Sequence, residues 1–280
     1  MIVAGVDVGS LTGKCVVIRA AKKFGMDEIL SSSITATRVK PVKTAMIVYD
    51  EALEKANLNK GEIEYIVGTG YGRVRIPFAD KNISEISCHG RGAHYYIPSV
   101  RTVIDIGGQD SKVIRVNETG KLVDFTMNDK CAAGTGRFLE VMAKALETTL
   151  DEMGPLALEA TRPAMISAQC SVFAESEVVS LIADGKNVKN IIAGLSESIA
   201  SRIVSLVNRI GLKKDITITG GVAKNIGVVK CVEEKLNVKL KTIPIDPQII
   251  GAFGAALFAK EELIKKEQEG PKRKLKKWDF

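Results

Sequence analysis

The sequence is defined first by what it does not contain. Across 280 residues no apolar run approaches the ~18 that a helical membrane span needs. The first residues, MIVAGVDVGS, read directly as a strand, without the basic start and cleavage site of a secretory leader. A cytoplasmic location with no membrane partner is therefore expected. The five cysteines (Cys15, Cys88, Cys131, Cys170 and Cys231) are odd in number and widely spaced, with no C-x-x-C pair, which argues against a disulfide framework. The two histidines, His89 and His94, are five residues apart and so not on one helical face. With Cys88 they lack a fourth zinc ligand, and neither finds a serine partner for nucleophilic catalysis. A packing role in a connecting helix is the expectation for all three. Cys15 in a strand and Cys231 in a helix read as core residues.

A basic face is also lacking. The net charge is +7, but the terminal stretch PKRKLKKWDF alone carries +4. Residues 269–280 thus read as a solvated basic tail, and a nucleic-acid partner is not expected. Trp278 in that tail reads equally as a docking anchor or a disordered aromatic. With 45% hydrophobic and 26% charged residues, the remainder has the composition of a folded globular protein.

What is present is an internal echo. Residues 6–14 read VDVGSLTGK and residues 104–112 read IDIGGQDSK, so Asp7, Gly9 and Lys14 recur as Asp105, Gly107 and Lys112 at a constant offset of 98. Each copy runs into an apolar strand-like segment, the signature of a strand, glycine turn and strand. Two such hairpins predict two similar α/β halves that face one another, with a ligand at the seam. Helical spacing is found at 44–56, 84–95, 137–146, 175–183 and 191–210. DITITGGVAKN reads as a buried strand running through Gly220 and Gly221 into a helix. The stretch from Pro247 to about 268 reads as a helix whose small residues allow close packing; it is expected to cross back onto the first half.

Glycine turns let the main chain approach a bound group, and their N–H groups make anion-binding concavities. The first turn offers Gly9, Ser10, Leu11, Thr12, Gly13 and Lys14, and the second Gly107, Gly108 and Asp110, to the β- and γ-phosphates. The third, with Gly220, Gly221, Val222 and Asn225, is placed to receive the α-phosphate or ribose. Asp7 and Asp105 would converge on Mg²⁺ or on the attacking water, Gln109 would orient that water, and Lys14 would offset developing charge. Neither a Walker loop nor a complete dinucleotide-binding loop is present; GTGYGR at 68–73 lacks the last glycine.

VDVGSLTGK, IDIGGQDSK, ITITGGVAKN and GAFGAAL resemble, in order, the phosphate-1, phosphate-2, adenosine and second connecting motifs of the actin, heat-shock-chaperone and sugar-kinase (ASKHA) superfamily. Residues 84–94 would be the first connecting motif. The resemblance implies an α/β fold of two ribonuclease-H-like halves closing over ATP. The halves would be 1–95 plus about 247–268, and 96–246. It does not say what the ATP is for.

Cys131, in NDKCAAGTGRF, and Cys170, in QCSVFAESEVV, each stand shortly before a predicted helix, where free N–H groups and the dipole lower a thiol's pKa. Spacing alone leaves two readings open, buried structural thiols or ligands. Two thiolates per chain would complete a [4Fe–4S] cluster on the axis of a two-fold homodimer. The stretches NDKCAAGTGRFLEVMA, QCSVFAESEVVS, ISEISCHGRGA and VIDIGGQDSK closely resemble the BadF/BadG/BcrA/BcrD ATPase family, and within it the activators (component A, archerases) of 2-hydroxyacyl-CoA dehydratases.

That resemblance implies ATP/ADP and Mg²⁺ in each subunit and one [4Fe–4S] cluster per homodimer, held by Cys131 and Cys170. It adds Gly134, Thr135 and Gln248 to the expected nucleotide site. It also implies an ATP-driven, low-potential electron donor to a partner iron–sulfur protein, a dehydratase or double-cubane-cluster protein, with ferredoxin or flavodoxin as electron source. The turn 20–30 is longer and more basic than the family pattern, which leaves the acceptor open. A small-molecule kinase of the superfamily and a nucleotide-switched scaffold are the competing functions.

Overall fold

The computed structural model describes residues 1–21, 23, 25–130, 132–166 and 171–269. Strand β1 (Ile2–Val8) is buried from its second residue onward, as expected of an apolar strand covered on both faces. It pairs antiparallel with β2 (Thr12–Arg19) and parallel with β4 (Tyr65–Thr69). With β3 (Glu28–Ala36) and the short β5 (Lys81–Asn82) the order is β3-β2-β1-β4-β5. The second sheet repeats this plan with β6 (Thr102–Ile106), β7 (Ser111–Val116), β8 (Leu122–Asn128) and β9 (Ile216–Thr219), in the order β8-β7-β6-β9. The echo is thus a structural one: Asp7 lies opposite Lys14 on β2 and Thr69 on β4, while Asp105 lies opposite Lys112 on β7 and Thr219 on β9.

Helix α1 (Pro41–Ala56) covers one face of the first sheet, packing Ala45, Val48, Ala52 and Leu53 on Val6, Val8 and Val17. It begins ahead of the expected 44 because Pro41 at the first turn pre-sets φ and needs no partner for its missing N–H. The opposite face is covered by α8 (Ile250–Glu269), whose Ala252, Phe253 and Ala256 pack on Val3, Val16, Ile18 and Val67. The end of the chain therefore completes the core of its beginning. α8 crosses α2 (Glu85–Tyr96) at backbone distance: a Cβ on Gly254 would stand 1.9 Å from the carbonyl oxygen of Cys88, so only glycine fits. Residues of α2 also reach the second sheet, joining Val103, Ile114 and Val116 in one apolar cluster.

The second sheet is covered by α3 (Gly136–Ala145), α4 (Leu150–Leu158), α5 (Ser171–Ala183), α6 (Val188–Ile210) and α7 (Ile226–Leu236), with Ile191, Leu195, Ile199 and Ile203 of α6 at the core. By length and apolarity α6 resembles a membrane span, but its apolar side chains are committed to this core. Two details differ from expectation. Gly220 and Gly221 do not open an α-helix; a 3-10 turn over Gly221–Lys224 intervenes, and α7 starts only after Asn225, whose extended backbone and side-chain oxygen cap the N–H of Val228. Strands β3 and β8 were not anticipated; both are edge strands, β3 with one face largely open to solvent and β8 with its first four residues exposed on both faces.

Candidate nucleotide site

The two hairpin turns meet at a cleft of about 590 Å³. Each turn is closed in the same way, Gly9 N–H donating to Thr12 O (3.0 Å) and Gly107 N–H to Asp110 O (2.9 Å). Their supports differ. Thr37 holds the first turn, its N–H donating to Leu11 O and its hydroxyl to Gly9 O, both at 2.8 Å. The second is held by a helix start: Gly136 N–H donates to Gly107 O (2.9 Å) and Arg137 N–H to Gly108 O (2.8 Å), using donors that α3 cannot satisfy internally. Ser111 adds a buried bond from its hydroxyl to Gly134 O at 3.0 Å.

The cleft floor carries two buried ion pairs. Lys14 Nζ lies 3.2 Å from Asp7 Oδ2, and Lys112 Nζ lies 3.5 Å from Asp105 Oδ2 and 2.6 Å from Asp110 Oδ1. Burial pushes the Asp105 carboxyl up, but its neighbours His89, Lys112 and Lys14 outweigh it and hold Asp105 below the ordinary range. For Lys112, burial works against the ammonium, yet Asp105 and Asp110 hold its pKa above the ordinary range. Both groups are charged at neutral pH. Each aspartate is backed by a Thr-Gly corner: Gly70 (φ +85) and Gly220 (φ +86) follow Thr69 and Thr219, and a Cβ at either would strike the adjacent aspartate at 2.3 or 2.7 Å. The first corner, inside GTGYGR, was not singled out from sequence, since only the Thr-Gly pair repeats. Lys112 and His89 were likewise not assigned to the site from sequence, and both line the cleft.

The cleft brings together Asp7, Gly9, Ser10, Leu11, Thr12 and Lys14 from the first turn and Asp105, Gly107, Gly108, Gln109 and Asp110 from the second. It adds Gly220, Gly221, Val222, Asn225 and Gln248, together with Gly136 at the start of α3. Gln248 joins two of the three loops, donating to Thr12 Oγ1 and accepting from Lys224 Nζ, both at 3.3 Å. Asn225 is buried, and its Nδ2 has no hydrogen-bond partner among the described residues. Gly13, Gly134 and Thr135 do not line the cleft. Gly13 packs beneath Thr44 of α1, Gly134 against Arg202 of α6, and the Thr135 hydroxyl donates to Ala132 O at 2.6 Å.

Cys131 and Cys170 lie outside the described residues. Burial pushes the Cys15 and Cys88 thiols far above their ordinary value and raises Cys231 to about 11, so none of the three favours a thiolate. Among the described residues no group of three or more His, Cys, Asp or Glu side chains forms a metal-binding set.

The model of the BadF/BadG/BcrA/BcrD ATPase family matches residues 4–259. The chain belongs to this family. The activator of lactoyl-CoA dehydratase from Anaerotignum propionicum is 49% identical over 266 residues, covering 95% of this chain and 100% of that protein. The solved activator of the 2-hydroxyisocaproyl-CoA dehydratase from Clostridium difficile, with bound ADPNP, is 41% identical with a TM-score of 0.90, covering 97% of this chain and 98% of that one. A ROK family glucokinase from Streptomyces griseus, in complex with glucose and AMPPNP, covers 93% of this chain and 100% of its own. At 13% identity and a TM-score of 0.55 it shares the fold alone. The family's ATPase activity is thus carried on the α/β fold of the actin, heat-shock-chaperone and sugar-kinase superfamily.

Proposed function

We propose that this ATPase is an activator of the 2-hydroxyacyl-CoA dehydratase type. In this reading it uses ATP hydrolysis to send low-potential electrons into a partner iron–sulfur enzyme in the cytoplasm, with ferredoxin or flavodoxin as source. Two copies of the chain would share one [4Fe–4S] cluster through Cys131 and Cys170 of each. The three described cysteines sit in cores and hold their protons, which suits packing and leaves the ligand role to this pair. When bound, such a cluster supplies a one-electron carrier whose potential responds to hydrogen bonding and exposure.

One observation carries the reading. The turn at Gly107 and Gly108, read as the phosphate-2 turn, is bonded through its carbonyls to the first N–H groups of α3, and Ser111 ties Gly134 to the same hairpin. A movement of that turn on nucleotide binding is therefore passed to the segment that follows Cys131. In the cleft, Asp7 and Asp105 are the carboxylates that would hold Mg²⁺, with phosphate oxygens and water completing its shell, since among the described residues no set of three or more His, Cys, Asp or Glu ligands is present. Gln109 at the mouth orients the attacking water, while Lys14 and Lys112 offset charge on the phosphoryl group. Gln248 and Asn225 hold the nucleoside end. The halves 1–95 plus 247–268 and 96–246 close as units around it. The kinase alternative retains only the fold likeness to a 13% identical protein.

Anaerobic purification tests the reading. The expected product is a dimer with about four irons per pair of chains. Cys131→Ala and Cys170→Ala should each lose that iron and still bind ADP. Full iron retention in both variants would refute the ligand assignment.

A further inference from the structure

His89 stands at the point where the two halves of the molecule meet, and nothing in the reading above uses it. Its helix, α2, is wedged against α8, which belongs to the core of the first sheet. Its ring points into the second sheet: Nδ1 lies 3.0 Å from Thr219 Oγ1 and 3.5 Å from Asp105 Oδ1. The Thr219 hydroxyl in turn lies 3.4 Å from Asp105 Oδ1. The three groups are almost fully buried, at 5%, 0% and 3% exposure. On the far side of the ring, a Cβ placed on Gly251 would stand 2.7 Å from His89 Nε2 and 3.1 Å from Asp7 Oδ2. The imidazole is therefore packed between the two aspartates that the internal repeat places at the cleft floor.

The directions of these bonds follow from donor and acceptor chemistry. An ionised carboxylate only accepts, so the Thr219 hydroxyl donates to Asp105 and must accept from His89 Nδ1–H. This order fixes one ring tautomer and one rotamer of Thr219, and with them one orientation of the Asp105 carboxylate. The first half differs: at the equivalent corner beside Asp7, the buried Thr69 hydroxyl has no hydrogen-bond partner among the described residues.

We propose that His89 is a positioning residue for Asp105, acting through Thr219 and holding the carboxylate in its productive orientation when the two halves stand as they do here. The contact spans the halves, so it forms and breaks with cleft closure. His89 thereby makes the orientation of Asp105 conditional on closure. The proposal rests on the reading of Asp105 as a residue that faces the metal or the attacking water.

The test measures steady-state ATPase activity of the full chain. His89→Ala and Thr219→Val should each lower kcat about tenfold, the worth of one buried hydrogen bond in the transition state, with KM for ATP within about twofold. His89→Asn, whose amide nitrogen can stand near the Nδ1 position, should recover most of the loss, and the double variant should lose no more than either single one. Wild-type kcat in His89→Ala, losses that add in the double variant, or a rise in KM without a fall in kcat would overturn the proposal. Should His89→Ala fail to fold, Thr219→Val, which keeps the shape of the side chain, carries the same kcat and KM criteria. Asp105→Asn separates the two levels. If it retains full activity, the reading of Asp105 itself fails; if it is inactive while His89→Ala is unimpaired, the positioning role alone fails.

Discussion

Leu11 and Gly108 touch across the cleft, one from each hairpin turn, so closely that a Cβ on Gly108 would stand 2.6 Å from Leu11 Cγ and 2.8 Å from its Cβ. The two turns read as the phosphate-binding loops are thus in direct contact, and the second is bonded onward to α3. Whatever spaces these turns also sets the distance between Asp7 and Asp105.

Adding a methyl group at this contact should separate the turns. Gly108→Ala forces either Leu11 or the Gly108 backbone to yield, at an overpacking cost of about 1–3 kcal/mol that falls on the closed state. ADP affinity, measured by isothermal titration calorimetry, should drop about tenfold or more. An unchanged affinity would show that the turns need not approach this closely around nucleotide.

The link from cleft to cysteine segment rests in part on Ser111, whose buried hydroxyl donates to Gly134 O. Ser111→Ala leaves that carbonyl unpaired and should cost about 1–3 kcal/mol in urea denaturation. In the iron-loaded dimer proposed above, it should also shrink the difference between ATP- and ADP-bound rates of iron removal by a chelator. Equal nucleotide dependence in the variant and the parent would exclude this route of coupling.

The pair of Asp105 and Lys112 makes stability depend on pH at both ends. Asp105 holds its proton more weakly in the folded chain than its ordinary 3.8, so the stability it contributes is complete above that value and is lost as pH falls through the lower folded pKa. Lys112 behaves in the opposite sense: its contribution is complete below the ordinary 10.5 and is lost as pH rises through the higher folded pKa. Urea midpoints should therefore be flat near neutrality and fall at the acid end, and Asp105→Asn should flatten part of the acid fall. Lys112→Met, which leaves Asp105 and Asp110 without their shared ammonium, should cost about 3–5 kcal/mol at neutral pH.

The parts of the site that lie on one continuous stretch were legible in the sequence, and those assembled by crossing elements were not. Asp7 with Lys14 and Asp105 with Lys112 are opposed in register within single hairpins, so a nine-residue pattern was enough to find them. Thr69 and Gly70 are the counterparts of Thr219 and Gly220, but parallel strands are brought together by long crossovers, and only two letters of the repeat survive. His89 is 130 residues from Thr219 in sequence, and its ring is aimed by the glycine crossing of α2 and α8. No local spacing records that contact. Gly13, Gly134 and Thr135 illustrate the reverse case: they belong to the motifs, yet their smallness or burial serves α1, α6 and the loop before α3.

Asn225 separates a capping role from a binding role within one side chain. Its Oδ1 accepts from Val228 N–H at 3.0 Å and starts α7, while its Nδ2 is buried at the cleft without a partner among the described residues. A buried donor left unpaired costs about 1–3 kcal/mol, a cost that a nucleotide acceptor in the cleft would remove on binding. Asn225→Asp preserves the cap, since aspartate is an equally good N-cap, and replaces the donor with an acceptor. The ligand-free variant should therefore melt close to the parent, while its ADP affinity falls about tenfold or more through loss of the bond and repulsion between oxygens. Calorimetric titration beside thermal denaturation distinguishes the cases. Lost stability with intact affinity would mean that the amide serves the fold alone, and intact values of both would mean that the nucleotide never meets Nδ2.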